Sequence, residues 1–123
     1  MSGEGIRDLS ELKPIRSKDD LRSIIVDTLE IKTDMGKEMV GKAMECLELF
    51  DSKQRDYGSG NISASGQVGV AVRVMDKASR MMNIMQKRMK GDQDVNHEAL
   101  LDTFQDVANY GMIGMLLEEG KWE

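Results

Sequence analysis

Three cations recur at helical intervals in the second half of this chain. Arg73, Lys77 and Arg80 are spaced by four and three residues, so on a helix they share one side, with Asp76 among them. A planar guanidinium and a compact ammonium both suit phosphate oxygens. The sequence therefore predicts a phosphate-binding face on one helix. The alternative is a solvated face of ion pairs, which is common on helices of this composition.

A stripe of carboxylates follows on a later helix. Glu98, Asp102 and Asp106 repeat every four residues, a spacing at which like charges destabilise a helix. A cation would relieve that repulsion, and Mg²⁺ prefers ligands that are all oxygen. Glu45 and Glu48, one helical turn apart earlier in the chain, are further candidates. Pairing with the cationic helix, or plain solvation, is the alternative.

A third candidate is the segment Asp56-Tyr57-Gly58, which ends a predicted helix. In one interpretation Gly58 adopts the left-handed conformation that stops a helix, and Tyr57 caps the core. In the other, Tyr57 stacks on a base while the following Gly and Ser amides touch phosphate or sugar. His97 and Cys46 have no neighbours in sequence that would make a nucleophile or a metal site.

The composition limits the class of protein. The 123 residues suffice for one domain with a small core, and because aromatic residues are scarce, Met, Leu, Ile, Val and Ala must fill that core. A formal charge of −5 argues against strong binding to duplex nucleic acid. One cysteine excludes an internal disulfide and fits a reducing compartment. With neither a leader nor a membrane span recognised, we expect a cytoplasmic protein.

The apolar periodicity predicts an all-α fold, a four-helix bundle-like domain over residues 17–123 behind a flexible arm, residues 1–16. The longest predicted loop within the domain is the Gly- and Ser-rich segment 57–66, whose amides would be free to bind a ligand. Ser17 is the start signal of the first helix. The four helices are expected at about 18–31, from 33 or 34 to 54, 67–90 and 96–118.

Apolar residues place the expected core on one arc of each long helix. On the third helix the arc includes Met75, Met82 and Met89. On the fourth, Ile113, Leu116 and Leu117 fall outside the main arc, so the final turns are apolar almost all round. Such a helix usually has its remaining apolar surface buried by another molecule, and a homodimer is the simplest explanation.

Taken together, these motifs resemble a domain family of bacteriophages and prophages, the nucleotide modification associated domain of type one. The resemblance spans roughly residues 43–115 and lies in the combination of motifs. It implies a phage setting and a modified or free nucleotide as ligand, without implying a particular reaction. The motifs are Phe50-x-x-Lys53-x-x-Asp56-Tyr57-Gly58, Arg73-x-x-Asp76-Lys77-x-x-Arg80 and Glu98-x-x-x-Asp102-Thr103-x-x-Asp106-x-x-Asn109-Tyr110.

The helical layout is also loosely similar to that of all-α nucleoside triphosphate pyrophosphohydrolases of the MazG and dimeric dUTPase kind. Those enzymes hold Mg²⁺ with Glu-x-x-Glu on one helix and Glu-x-x-Asp on a later one. Glu45-x-x-Glu48 has the first spacing, whereas Asp102-x-x-x-Asp106 departs from the second by one residue. One residue turns a side chain by about 100° around a helix, which changes the geometry offered to a metal.

The resulting hypothesis is a phage-type protein, in the cytoplasm of the bacterial host, that binds a nucleotide phosphate, with Mg²⁺-dependent hydrolysis as the reaction class if it is an enzyme. A non-catalytic nucleotide-binding module and a structural helical bundle are the alternatives. The predicted nucleotide-binding residues are Lys53, Asp56, Tyr57, Arg73, Asp76, Lys77, Arg80 and Asn109. The predicted metal ligands are Glu45, Glu48, Asp102 and Asp106.

Overall fold

The computed structural model describes residues 15–91 and 97–123. These residues form four helices and, within the described ranges, no strand, which confirms the all-α prediction. The predicted arm falls largely on residues 1–14, outside the described residues. The helices are α1 (Lys18–Thr28), α2 (Asp34–Tyr57), α3 (Gly60–Met89) and α4 (His97–Glu118).

The chain divides into two compact units, one up to Met44 and the other from Glu45 to Glu123. In the first unit, the Ser17 hydroxyl accepts a hydrogen bond of 3.1 Å from the backbone N–H of Asp20, which confirms the predicted helix start. The guanidinium of Arg22 donates to the carbonyl of Lys37 from Nη2 at 2.7 Å. This contact joins α1 to the first turns of α2. The single domain over 17–123 stays a prediction.

The second unit contains the C-terminal part of α2 with α3 and α4. Its buried cluster consists of Ile62, Val70 and Ile113. Because Gln67, early in α3, donates a 2.5 Å hydrogen bond to Glu118 at the end of α4, the two helices run antiparallel. The partly buried hydrophobic residues that pack against the cluster are Phe50, Val74, Tyr110, Leu117 and Trp122.

The predicted loop over residues 57–66 is wrong for most of its length. Helix α3 begins at Gly60, and its first turn is closed by a 3.0 Å hydrogen bond from the N–H of Ser63 to the carbonyl of Ser59. Burial of Ile62 in the core anchors this turn and outweighs the poor helix propensity of Gly, Ser and Asn. The helix is interrupted at Gly66, where φ is 61° and ψ is −151°.

The predicted core arc of the third helix is only partly buried. Met75, Met82 and Met89 are 67%, 59% and 86% exposed, whereas Val70 and Ile84 are buried. The apolar stripe on α3 is wider than α4, the helix that packs most extensively against it, can cover. At the end of α4, Ile113 is buried and Leu116 and Leu117 are half-buried, whereas Met112 and Met115 are 40% and 59% exposed. The surface on which the homodimer was predicted is therefore only partly covered within the unit.

Gly66 is a testable weak point of the fold. Its dihedral angles belong to a region that only glycine adopts readily, so Gly66→Ala is expected to lower the free energy of unfolding by about 1–3 kcal/mol. Gly111→Ala is the matched control, because Gly111 lies inside α4 and a Cβ there meets no atom within 4 Å. It should raise stability by about 0.5–1 kcal/mol. Urea unfolding, monitored by circular dichroism, measures the free energy of unfolding of both variants. Equal changes in the two variants would contradict the assignment of Gly66 as a position that requires glycine.

Candidate functional site

A cavity of about 300 Å³ opens among α2, α3, α4 and the C-terminal residues of the second unit. Helix α2 contributes Phe50, Lys53, Gln54 and Tyr57, spaced by three, one and three residues. That spacing places four side chains on one face of a helix. One face of α2 therefore lines the cavity.

Helix α4 repeats this spacing with Asp106, Asn109, Tyr110 and Ile113. Helix α3 adds Arg73 and Lys77, one turn apart. The three helices thus bring a carboxylate, side-chain amides and three cations into one lining, next to apolar and aromatic side chains. A concave, largely apolar lining with a few convergent polar groups is typical of small-molecule sites.

Asp106 is the charged centre of this lining. Its Oδ1 lies 2.7 Å from Nζ of Lys53 on α2, and its Oδ2 lies 2.9 Å from Nζ of Lys77 on α3. The Asp106 side chain is 15% exposed, while those of Lys77 and Lys53 are 25% and 48% exposed. One carboxylate therefore holds a lysine from each of two other helices at the cavity.

The protonation of Asp106 reflects two opposing effects. Burial by itself raises the pKa of this carboxyl, because a charged group loses hydration. The hydrogen bonds and positive charges of Lys53 and Lys77 together outweigh burial, so the pKa lies below its ordinary value. Asp106 is consequently an anion throughout the neutral range.

Two buried polar atoms at the cavity have no hydrogen-bond partner among the described residues: Nη1 of Arg73 and Oδ1 of Asn109. The Asn109 amide is oriented by its Nδ2, which donates to the carbonyl of Cys46 at 3.1 Å. Since a carbonyl only accepts, Oδ1 must be the atom that stays unpaired. Leaving such atoms unsatisfied costs about 1–3 kcal/mol each, which a ligand with matching groups would recover.

Trp122 forms the aromatic wall of the cavity. Its ring lies 6.0 Å from that of Phe50 at an interplanar angle of 73°, and its Nε1 donates to the carbonyl of Ser59 at 3.2 Å. The Ser59 hydroxyl also bonds to the backbone carbonyl of Glu123. The turn begins at Gly120, where φ is 69°. This left-handed glycine ends α4 and directs the chain back toward the start of α3.

The structure brings together half of the residues that the sequence predicted for ligand or metal binding. The other predicted residues are exposed and do not line the cavity. Arg80 shares a face with Arg73, but seven residues along a helix correspond to about 10 Å, which carries it past the cavity. The residues at the cavity are Lys53, Tyr57, Arg73, Lys77, Asp106 and Asn109. Those elsewhere are Glu45, Glu48, Asp56, Asp76, Arg80 and Asp102.

The predicted metal ligands do not converge. Among residues 15–91 and 97–123, no three Asp, Glu, His or Cys side chains are grouped as a metal site requires. Both oxygens of Asp106 pair with lysines, so this carboxylate does not fit the role of an Mg²⁺ ligand in this arrangement. Binding of Mg²⁺ stays a prediction, and we derive no chemical step from it.

Several cavity residues were not predicted from the sequence, including Trp122, Gln54 and Tyr110. Trp122 gave one usable signal, since it is the only tryptophan of a chain poor in aromatic residues and it follows a helix-ending glycine. Gln54 could have been found from the spacing, because it shares the face of α2 that Phe50 and Tyr57 define. Its Nε2 donates to the Ser59 hydroxyl at 2.6 Å.

Comparison of the chain with protein-family models, with curated proteins and with solved structures finds no match. The resemblance to the phage domain family thus stays a prediction. Among the described residues, none of the helices combines the length and the apolar character that a bilayer span requires.

The ion pairs of Asp106 predict a specific response to acid. Its folded pKa is below the ordinary value of 3.8, so its contribution to stability is present above that pH and is lost as the pH falls through the folded pKa. The free energy of unfolding should therefore drop more steeply below about pH 4 in the wild type than in Asp106→Asn. Asp102→Asn, at an exposed position of the same helix, is the control and should keep the wild-type slope. Urea titrations at several pH values measure the free energy of unfolding of each protein. Identical slopes against pH in the wild type and Asp106→Asn would contradict the prediction.

Proposed function

We propose that this protein binds a nucleotide in the cavity of its second unit, with the phosphate against Arg73, Lys77 and Lys53. The observation that carries the proposal is the buried Nη1 of Arg73, a charged donor with no partner among the described residues, next to two lysines held by Asp106. A phosphate oxygen is a strong acceptor for a guanidinium N–H. The purely structural alternative pairs Arg73 with a carboxylate of α4, and no such partner is found for this nitrogen among the described residues.

The remainder of the cavity suits the nucleoside. Tyr57, 74% exposed at the rim, offers a ring on which a base can stack, and Trp122 and Phe50 add aromatic surface. The buried Oδ1 of Asn109 offers an acceptor for an N–H or O–H group of a base or a sugar. An anion with an aromatic, hydrogen-bonding body uses all of these groups.

A non-catalytic binding or sequestering role is favoured over hydrolysis by the position of Asp106. This carboxylate was expected to hold Mg²⁺ in a hydrolase, but its two oxygens hold lysines at the cavity instead. Such a site needs no metal to retain a phosphate. The phage setting and the link to modified nucleotides come from the sequence resemblance alone and are part of the proposal on that basis.

Arg73→Gln tests the proposal. Losing a charge-assisted hydrogen bond of about 1.5–3 kcal/mol should weaken nucleotide binding by roughly 10- to 100-fold. Arg80→Gln removes the same charge from an exposed position outside the cavity and should leave binding within about twofold. Titration calorimetry gives the affinities, and the fluorescence of Trp122, the only tryptophan, reports whether the ligand enters this cavity.

The ligands tested are ribo- and deoxynucleotides, including hydroxymethylated ones, and each is titrated once with Mg²⁺ and once with a chelator. Binding in chelator with recovery of unchanged ligand supports the binding role. Chromatographic appearance of a monophosphate would replace that role with hydrolysis. If no nucleotide binds, or if Arg80→Gln weakens binding as much as Arg73→Gln, the proposed site is wrong.

We also propose that the protein is a homodimer, joined through the exposed apolar stripes of α3 and α4. On α3 the stripe includes Met75 and Met82, and on α4 it includes Leu101 and Phe104. On α4 it lies one residue after the buried Leu100 and Thr103, and on α3 it lies one residue after the half-buried Val74 and Met81. In an antiparallel pair this equal offset places both stripes on one face.

This face has the dimensions of an interface. Two helices of the length of α4 present a surface of roughly 30 by 20 Å. A standard protein interface buries about 800 Å² on each partner, which is the same scale. A second copy matches it because a two-fold axis joins identical patches.

Met82→Lys tests the dimer. A lysine in the centre of the apolar face should convert a dimer into a monomer in sedimentation velocity, because burying an unpaired ammonium is costly. Met35→Lys, at a 73% exposed methionine of α2 outside this face, is the control and should leave the dimer intact. A wild-type protein that sediments as a monomer at all concentrations would contradict the proposal.

A further inference from the structure

The charges at the cavity identify the class of phosphate. We infer that the site takes a terminal phosphate monoester, the group of a nucleoside monophosphate, in preference to a phosphodiester or a triphosphate. This inference rests on the proposed nucleotide binding and adds a specificity to it.

The first argument is the balance of charge. The charged side chains that line the cavity are Lys53, Arg73, Lys77 and Asp106, three cations and one anion, with a net charge of +2. A phosphate monoester carries about −1.5 to −2 at neutral pH, which matches that charge. A diester carries a single negative charge for each phosphate and leaves one cation unbalanced in a partly buried site. A triphosphate brings more negative charge than the site neutralises.

The second argument is the number of hydrogen-bond donors. A lysine ammonium has three N–H donors. Lys53 and Lys77 each use one on Asp106, and the Nη1 of Arg73 is unpartnered among the described residues, so three cationic side chains keep donors for a ligand. A monoester presents three terminal oxygens. A diester has only two oxygens outside its ester links, so two of the three cations would have to share one acceptor.

The third argument concerns size and exposure. A cavity of about 300 Å³ is at the lower end of the range for small-molecule sites, about 300–1,000 Å³. The side chain of Lys77 is 25% exposed and that of Lys53 is 48% exposed, so the cations lie partly below the surface. A chain of three phosphates would have to extend beyond them into solvent, where charge is screened.

The pH dependence of binding should belong to the ligand. The titratable side chains at the cavity are Lys53 and Tyr57 from α2, Arg73 and Lys77 from α3, and Asp106 with Tyr110 from α4. None is a histidine, the side chain whose ordinary pKa falls between pH 5 and 8. The second ionisation of a phosphate monoester falls there, with a pKa of about 6.

The experiment compares nucleoside 5′-monophosphates with the 3′,5′-cyclic monophosphates and the triphosphates of the same bases, by titration calorimetry in chelator at pH 7.5 and 5.0. The monophosphate should bind at least tenfold more tightly than its cyclic diester at pH 7.5. Its affinity should fall roughly tenfold at pH 5.0, where about one tenth remains dianionic. The cyclic diester has no ionisation in this range and should not change.

Lys53→Gln supplies a second measurement. Lys53 is the most exposed of the three cations, and Asp106 keeps its pair with Lys77 when Lys53 is lost. The fold should therefore be retained, while the preference for monophosphate over cyclic diester should fall severalfold. A cyclic diester or a triphosphate that binds as tightly as the monophosphate would overturn the inference while leaving nucleotide binding in place. Absence of binding by every member of the panel would overturn nucleotide binding itself, and the inference with it.

Discussion

The carboxylate of Asp106 is the contact on which the second unit depends, because it pairs at once with Lys53 on α2 and Lys77 on α3. A carboxylate that is 15% exposed loses most of its hydration, and two lysines at hydrogen-bonding distance compensate for that loss. The pairing joins three helices at a single point. The same three side chains form the polar wall of the cavity, so this part of the fold and the candidate site share one set of interactions.

Two further contacts complete the cavity. The amide of Asn109 donates to the carbonyl of Cys46, which ties α4 to α2 and directs the amide oxygen away from that bond. The indole of Trp122 donates to the carbonyl of Ser59, which fixes the C-terminal turn against the start of α3. The amide nitrogen of Asn109 and the indole nitrogen of Trp122 are thus paired, while one donor on Arg73 and one acceptor on Asn109 have no partner among the described residues. Buried polar groups in proteins are usually paired, so such exceptions indicate a place where a ligand supplies the missing partners.

The position of Asp106 also distinguishes this site from the metal centre that the carboxylate stripe suggested. A carboxylate that accepts from two ammonium groups acts as an anchor for cations, and these cations are the groups available to the proposed anionic ligand. Other carboxylates of the predicted metal site, such as those of Glu45 and Asp102, are exposed. The chemistry of the site therefore centres on positive charge held by one buried negative charge.

The sequence by itself determined the helices and the faces of most of them. Helical periodicity and the Ser17 cap predicted α1, α2 and α4 to within a few residues, and spacing placed Arg73 and Lys77 on one side of α3. It could not choose Asp106 over Asp102, because both lie on the same stripe and only their height along α4 relative to Lys53 and Lys77 separates them. The sequence also predicted a loop before Gly66, because helix propensity depends on the local residues alone. The burial of Ile62, which stabilises the helix there, depends on contacts with the rest of the fold. Periodicity defines a face of a helix, and only the tertiary structure decides what that face meets: a second helix for Val70, solvent for Met75, and a cavity for Arg73.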